Sequence, residues 1–254
     1  MNIVFIGSGN VATHLAIAFK AMGADIIQVW SKDSRNAEIL AALTKAEPIN
    51  QWKALDQTAD CYVVAVKDDA IAEVASHLQN VRGIVVHTSG ATSIAVLKGA
   101  GIGYGVLYPL QTFSKTKAVD LKKVPFCIEA DHPETLEKIA AIAHLLSESV
   151  AEVSSDQRKV LHLAAVFACN FTNHLYHLSN QLLQQHKLNF DLLKPLILET
   201  AQKIQSALPE AVQTGPAVRN DQETMNKHLA LLAGSPELQD IYEMLSNSIK
   251  KTYQ

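Results

Sequence analysis

The chain has 254 residues, 48% hydrophobic and 19% charged, the balance of a folded globular protein with room for one large domain or two ordinary ones. A formal net charge of −3 gives no electrostatic pull toward nucleic acid or an anionic membrane, and no apolar run is long enough to span a bilayer. Cys61, Cys127 and Cys169 are odd in number and far apart in apolar runs, so they read as reduced thiols of a cytoplasmic protein and not as a disulfide framework or a metal site.

The chain opens on an apolar β-type run, Asn2 to Ile6, followed at once by Gly7-Ser8-Gly9-Asn10-Val11-Ala12 and a helical pattern. Strand, glycine loop and helix come in the order a dinucleotide-binding fingerprint requires. Gly7 allows the tight turn, Gly9 lets backbone approach a pyrophosphate, and Ala12 lets the helix pack closely on the strand. The helix start, with Ser8, Asn10 and Val11 around it, offers N–H groups and partial positive charge to phosphates. A fingerprint beginning at residue 2 leaves no room for a signal or transit peptide, which accords with a cytoplasmic protein.

Strand-like and helix-like segments then alternate through residue 154, predicting an α/β domain over 1–154 with a doubly wound parallel sheet. Strands are expected at Ile3–Ile6, Ile26–Trp30, Tyr62–Val66, Ile84–His87, Tyr104–Leu107, Phe126–Glu129 and Ala151–Ser154, with helices starting near Asn10, Ser34, Asp69 and His132. At the end of the second strand, the acidic residue that grips the ribose of NAD is replaced by Trp30 or Ser31, and Lys32 and Arg35 follow. Hydroxyls and a guanidinium suit the 2′-phosphate of NADP, whereas Asp33 could still turn toward a ribose. Val66, Lys67 and Ile71 are expected over the cofactor at the next strand end, and Thr88 and Ser89 at the one after. The run Tyr108-Pro109-Leu110-Gln111-Thr112-Phe113 reads either as a substrate wall or as a rigid turn.

From Ser155 the β-type runs disappear, and 155–254 reads as an all-helical domain. One long helix covers 155–186, with others at Asp191–Ala207, Asn220–Ala233 and Pro236–Lys250. At roughly 100° per residue, His162, Asn170, Asn173, His177, Asn180 and Gln184 share a face, the others being apolar. The stretch from Val160 to Gln185 has no Lys or Glu, so the helix is expected to be buried on most sides and to face a cleft or an interface. His162 is the candidate proton donor and Asn170 a carbonyl-orienting amide, unless both simply bond between helices. Arg219 could clamp a carboxylate or pair with Asp221, which is placed to cap the next helix, and His228 packs or binds a ligand. No metal-ligand spacing appears.

Taken together, the glycine loop, His87-Thr88-Ser89-Gly90, Tyr108 to Phe113, the His162–Asn170 helix and Thr214-Gly215-Pro216…Arg219…Asp221 resemble a bacterial group of NADP oxidoreductases. Their helical half carries the label "domain of unknown function 2520". That group is similar in architecture to ketopantoate reductase, pyrroline-5-carboxylate reductase and 6-phosphogluconate dehydrogenase. The resemblance implies a Rossmann domain followed by a helical, 6-phosphogluconate-dehydrogenase-like domain that often mediates dimerisation, with the active site between the two. The group's Arg-Gly-Asp reads Arg219-Asn220-Asp221 here, and the helix lysine of the related dehydrogenases has no counterpart between His162 and Asn170. The expected activity is NADPH-dependent reduction of a small carboxylated ketone, such as a ketopantoate-like 2-oxo acid, or of a cyclic imine. The alternative is an NADP-binding sensor or scaffold without turnover.

Overall fold

The computed structural model describes residues 1–253. Eight strands form one sheet: β1 (Asn2–Ile6), β2 (Asp25–Trp30), β3 (Glu47–Ile49), β4 (Cys61–Val64), β5 (Ile84–His87), β6 (Gly103–Pro109), β7 (Phe126–Ala130) and β8 (Val150–Glu152). Their order is β3-β2-β1-β4-β5-β6-β7-β8, all pairs parallel except β6–β7. The helices of this part are α1 (Asn10–Ala21), α2 (Ser34–Thr44), α3 (Ile71–Ser76) and α4 (Pro133–Leu146). The alternation of β1 explains the two-sided cover. Ile3 and Phe5 pack with Leu15, Phe19 and Leu40, while Val4 and Ile6 pack with Ile71, Val74 and Leu78 on the other face. Each such side chain, fully buried, contributes about 1.5–3 kcal/mol.

The order reverses at β1, whose neighbours are β2 on one side and β4 on the other, and this opens a crevice at the carboxyl ends of those strands. Three details depart from the sequence reading. β3 is an additional strand of three residues, Glu47-Pro48-Ile49, at the sheet edge. A 3₁₀ turn, Asp68–Ala70, precedes α3, so that helix begins at Ile71 and not at Asp69. The last strand sits at Val150–Glu152, ahead of Ala151–Ser154, because Ser154 caps the next helix and its hydroxyl accepts from the Gln157 amide.

The long helix is α5 (Ser155–Ala165), a π-helical segment Val166–Phe171 and α6 (Thr172–Gln185). It is followed by α7 (Lys194–Ser206), α8 (Gln222–Leu231) and α9 (Pro236–Tyr253). The composition changes at Ser155, but packing divides the chain into Met1–His174 and a second unit from Leu175 onward. The start of α5 stays with the sheet because Arg158, wholly buried, donates to Glu129 Oε2 of β7 at 2.6 Å and to the Thr92 carbonyl at 2.6 Å. The expectation of a helix buried on most sides is corrected: Val160, Leu163, Phe167 and Phe171 are more than half or half exposed, and α6 contains no buried residue. The polar stripe is also broken. A π turn adds a residue to the helical period, so the spacing of roughly 100° per residue that defined the stripe does not hold across Val166–Phe171.

Candidate active site

A cleft of about 830 Å³ lies along the carboxyl edge of the sheet within the first unit. Its floor is the glycine loop. Gly7 has φ +114°, and a Cβ there would sit 2.2 Å from the Ala65 carbonyl oxygen, so neither the backbone nor the space admits a side chain. Gly9 differs: no protein atom lies within 4 Å of its would-be Cβ, and it faces open space at the start of α1. No side chain caps α1, which leaves the first turn available to an anion. Ser8, Asn10 and Val11 line the cleft as expected from the sequence. The Ser8 hydroxyl bonds to Ser31 at 3.1 Å, while the Asn10 amide is turned to the Phe113 carbonyl at 2.9 Å.

The β2–α2 loop sorts its charges by local bonding. The Asp33 carboxylate accepts from the Arg35 amide at 3.0 Å through Oδ1 as the cap of α2, and the residue also lines the cleft. Ser31 and Lys32 line the cleft together with Asn36, one turn into α2. Arg35 does not: it lies just inside α2, exposed and outside the lining. At the end of β4 the lining is Ala65, Val66, Lys67 and Asp68, then Ala70, Glu73 and Val74. Ile71 is corrected from a cofactor contact to a core residue, 1% exposed, because the 3₁₀ turn points it under the sheet. Trp30 and Trp52, both in the wall, stack at 4.1 Å, and His77 stacks on Trp52 at 4.4 Å.

Beyond β5, Thr88, Ser89 and Gly90 line the other end. Their loop is held from several sides. The Ser89 amide donates to His87 Nδ1 at 3.2 Å, the Ser89 hydroxyl accepts from the Ala91 and Thr92 amides, and Arg158 Nε donates to the Ser89 carbonyl at 3.2 Å. Burial, and then the Arg158 charge, push His87 down to about 4, so it stays neutral at physiological pH. At the end of β6, Tyr108 OH lies 3.2 Å from His162 Nδ1, with the rings edge-on. Gly90 fills the remaining space: a Cβ there would meet His162 Nδ1 and Tyr108 Cζ at 2.7 Å. Burial pushes the Tyr108 phenol up to about 12.

His162 is therefore in the cleft, as expected from the sequence. Asn170 is not; it is exposed on the π-helical segment. Arg219 belongs to the second unit, where it is exposed near Asp221, whose carboxylate caps α8 by accepting from the Thr224 amide at 3.0 Å. That bond and the Thr224 hydroxyl hold the Asp221 carboxyl below its usual range. His228 bonds to the Tyr242 hydroxyl at 2.8 Å and serves packing. Trp52 and Asn36 entered the site without a motif to announce them, whereas Gly90 and Gln111 belong to the runs His87–Gly90 and Tyr108–Phe113 singled out in the sequence. Asn36 alone left a trace, three residues after the capping Asp33, on the first turn of a helix that starts at the sheet's carboxyl edge.

The donor set fits NADP. Gly7, Gly9 and the start of α1 would receive the pyrophosphate, and Ser31, Lys32 and Asn36, with the capping Asp33 beside them, would meet the 2′-phosphate. Among the described residues no group of three or more His, Cys, Asp or Glu side chains is arranged to hold a metal. No helix among them is long and apolar enough to cross a membrane.

Residues 2–89 match the family described as NADP oxidoreductase, coenzyme F420-dependent, and residues 124–249 match the domain of unknown function DUF2520. Among curated proteins, none matches the chain. The chain is similar to the crystal structure of a "putative NADP oxidoreductase" from Bacteroides fragilis, with 44% identity over 98% of each chain and a TM-score of 0.93. It is similar also to an imine reductase from Myxococcus stipitatus in complex with NADP+ (17% identity, 99% of this chain and 92% of that one, TM-score 0.65). A third likeness is to a pyrroline-5-carboxylate reductase from Coxiella burnetii (16%, 99% and 97%, TM-score 0.57). At these last two identities the likeness is one of fold.

Proposed function

Since the chain belongs to the NADP oxidoreductases that join a Rossmann domain to a DUF2520 helical half, we propose that it reduces the carbonyl of a small carboxylated ketone, a ketopantoate-like 2-oxo acid being the leading candidate. NADPH, when bound, supplies hydride. The protein's part is to hold that cofactor, exclude water and deliver a proton to the substrate oxygen. One observation carries the reading: the cleft that begins at the glycine loop ends at a hydrogen-bonded phenol and imidazole, Tyr108 and His162. A carbonyl needs such a proton as its oxygen becomes an alkoxide, whereas a cyclic iminium arrives already protonated.

The second reading, reduction of a cyclic imine, takes its support from the fold shared with an imine reductase and a pyrroline-5-carboxylate reductase. The test is NADPH consumption by the purified chain against matched panels of 2-oxo acids and cyclic imines. Saturable turnover of the oxo acids alone supports the carbonyl reading, and turnover of imines alone replaces it. Tight NADPH binding with no turnover in either panel would make the chain a sensor or scaffold.

Two further features belong to the same reading. The exposed apolar side chains Val160, Leu163, Phe167 and Phe171 on one long helix support a homodimer formed through the helical part. The three unpaired cysteines suit a reducing compartment, and we place the protein in the cytoplasm.

A further inference from the structure

We infer that Tyr108 is the catalytic residue that hands the proton to the substrate, and that His162 acts behind it as a relay to solvent. This deepens the proposed reduction and rests on it. The order follows from exposure. Tyr108 is 9% exposed at the end of β6, whereas His162 is half-buried on the second turn of α5, and the two meet at 3.2 Å. A proton from water reaches the imidazole first and the phenol second. No other ionisable group is hydrogen-bonded to the Tyr108 hydroxyl among the described residues. Arg158, one turn before His162, is bonded to Glu129 and to two carbonyls, and His87 has its Nδ1 bonded to the Ser89 amide. Lys67 and Asp68 stand on the β4 edge, exposed to solvent. Because burial holds the Tyr108 phenol at about 12, it stays protonated, and so able to give a proton, across the working pH range.

The step balances as follows. The carbonyl carbon gains hydride from NADPH, which is oxidised to NADP+, and the carbonyl is reduced to an alcohol. The Tyr108 O–H bond breaks as the new O–H bond forms on the substrate oxygen. Tyr108 regains a proton from Nδ1 of the His162 imidazolium, and a hydronium ion from solvent returns that proton to the imidazole and leaves as water. Gly90 sets the geometry. Its missing Cβ leaves room for the Tyr108–His162 contact, and an alanine would fall within 2.7 Å of both rings.

Three variants test the assignment on a substrate that the wild-type protein reduces. Tyr108→Phe should lower kcat by about 10²–10⁴-fold at every pH, with NADPH affinity within about twofold. His162→Gln should lower kcat less than Tyr108→Phe does, since water can still reach the phenol without the relay. Gly90→Ala keeps both groups but separates them, and should lower kcat by about tenfold. A readout independent of turnover is the NMR titration of the His162 ring with NADP+ bound, its resonance assigned by His162→Gln. Its midpoint should move in Tyr108→Phe. Tyr108→Phe retaining kcat within about threefold, or an unmoved His162 midpoint, overturns the assignment. Wild-type protein that binds NADPH yet turns over neither panel instead overturns the reading on which it rests.

Discussion

Two glycines in one loop carry different physical burdens, and the difference can be measured. Gly7 is required by the protein: its φ of +114° and the Ala65 carbonyl 2.2 Å from its would-be Cβ leave no place for a methyl group. Gly9 has an ordinary φ of −75° and no neighbour within 4 Å, so its absent side chain serves only what enters the cleft. Gly7→Ala should therefore lower the unfolding free energy by about 2–4 kcal/mol, read by chemical denaturation. Gly9→Ala should fold normally and weaken NADPH binding at least about tenfold in a fluorescence titration. His87 offers a second test at this scale. Its folded-state value near 4, against an ordinary 6.5, means that the unfolded chain binds the proton first. The stability it contributes is whole above pH 6.5 and is lost as pH falls toward 4, a difference of about 3 kcal/mol. Denaturation curves of wild type and His87→Gln should thus differ most at pH 7 and converge by about that amount near pH 4. A constant gap would show that the imidazole titrates alike in the folded and the unfolded chain.

The β2–α2 loop shows how an element chooses among the charges its sequence provides. Lys32, Asp33 and Arg35 are adjacent in the chain, yet the helix start at Ser34 assigns them separate tasks. Asp33 caps the helix while still lining the cleft beside Lys32 and Asn36, and Arg35 lies outside the lining. Lys32→Ala should weaken NADPH binding about five- to tenfold and reduce its salt dependence, while Arg35→Ala should change it less than about twofold. Equal losses in a titration at two salt concentrations would put the guanidinium back at the phosphate. Such allocation was hidden in the sequence, because capping is decided by backbone geometry and not by residue type alone. The sheet was far more legible. β1, β4 and β5 are runs of buried apolar residues between glycine or polar turns, and their order of arrival defined the switch point. β3 escaped because three residues with a central Pro48 carry no period, and the π turn at Val166–Phe171 because no sequence period announces an added residue. The Tyr108–His162 pair was visible only as halves. Each residue stood out in its own segment, but 54 positions separate them, and periodicity within an element is silent on which distant elements meet.

At the scale of the molecule, the helical part has too little of its apolar surface covered by its own chain. The long helix exposes Val160 at 68%, Leu163 at 56%, Phe167 at 62% and Phe171 at 50%, and the two phenylalanines pack edge to face at 5.0 Å. In the second unit Leu192, Leu196, Leu208 and Met244 are more than 60% exposed. Scattered exposed leucines are ordinary, but several large apolar residues recurring along one helix cost about 25 cal/mol for every Å² left in water. The proposed second copy of the chain would remove that cost on both sides at once, since a two-fold interface buries the same patch twice. Fully covering each of these phenylalanines and leucines contributes about 1.5–3 kcal/mol, enough for a stable dimer at micromolar concentration once the entropy of association is deducted. Sedimentation at about 1–20 µM should accordingly give a dimer for the wild-type chain, while Phe167→Glu, which would place a carboxylate in the apolar patch, should raise the dimer dissociation constant at least about 100-fold. The Rossmann half is untouched by that change, so Phe167→Glu should still bind NADPH as a monomer. A wild-type chain that sediments as a monomer throughout this range would leave the helix face without its proposed partner.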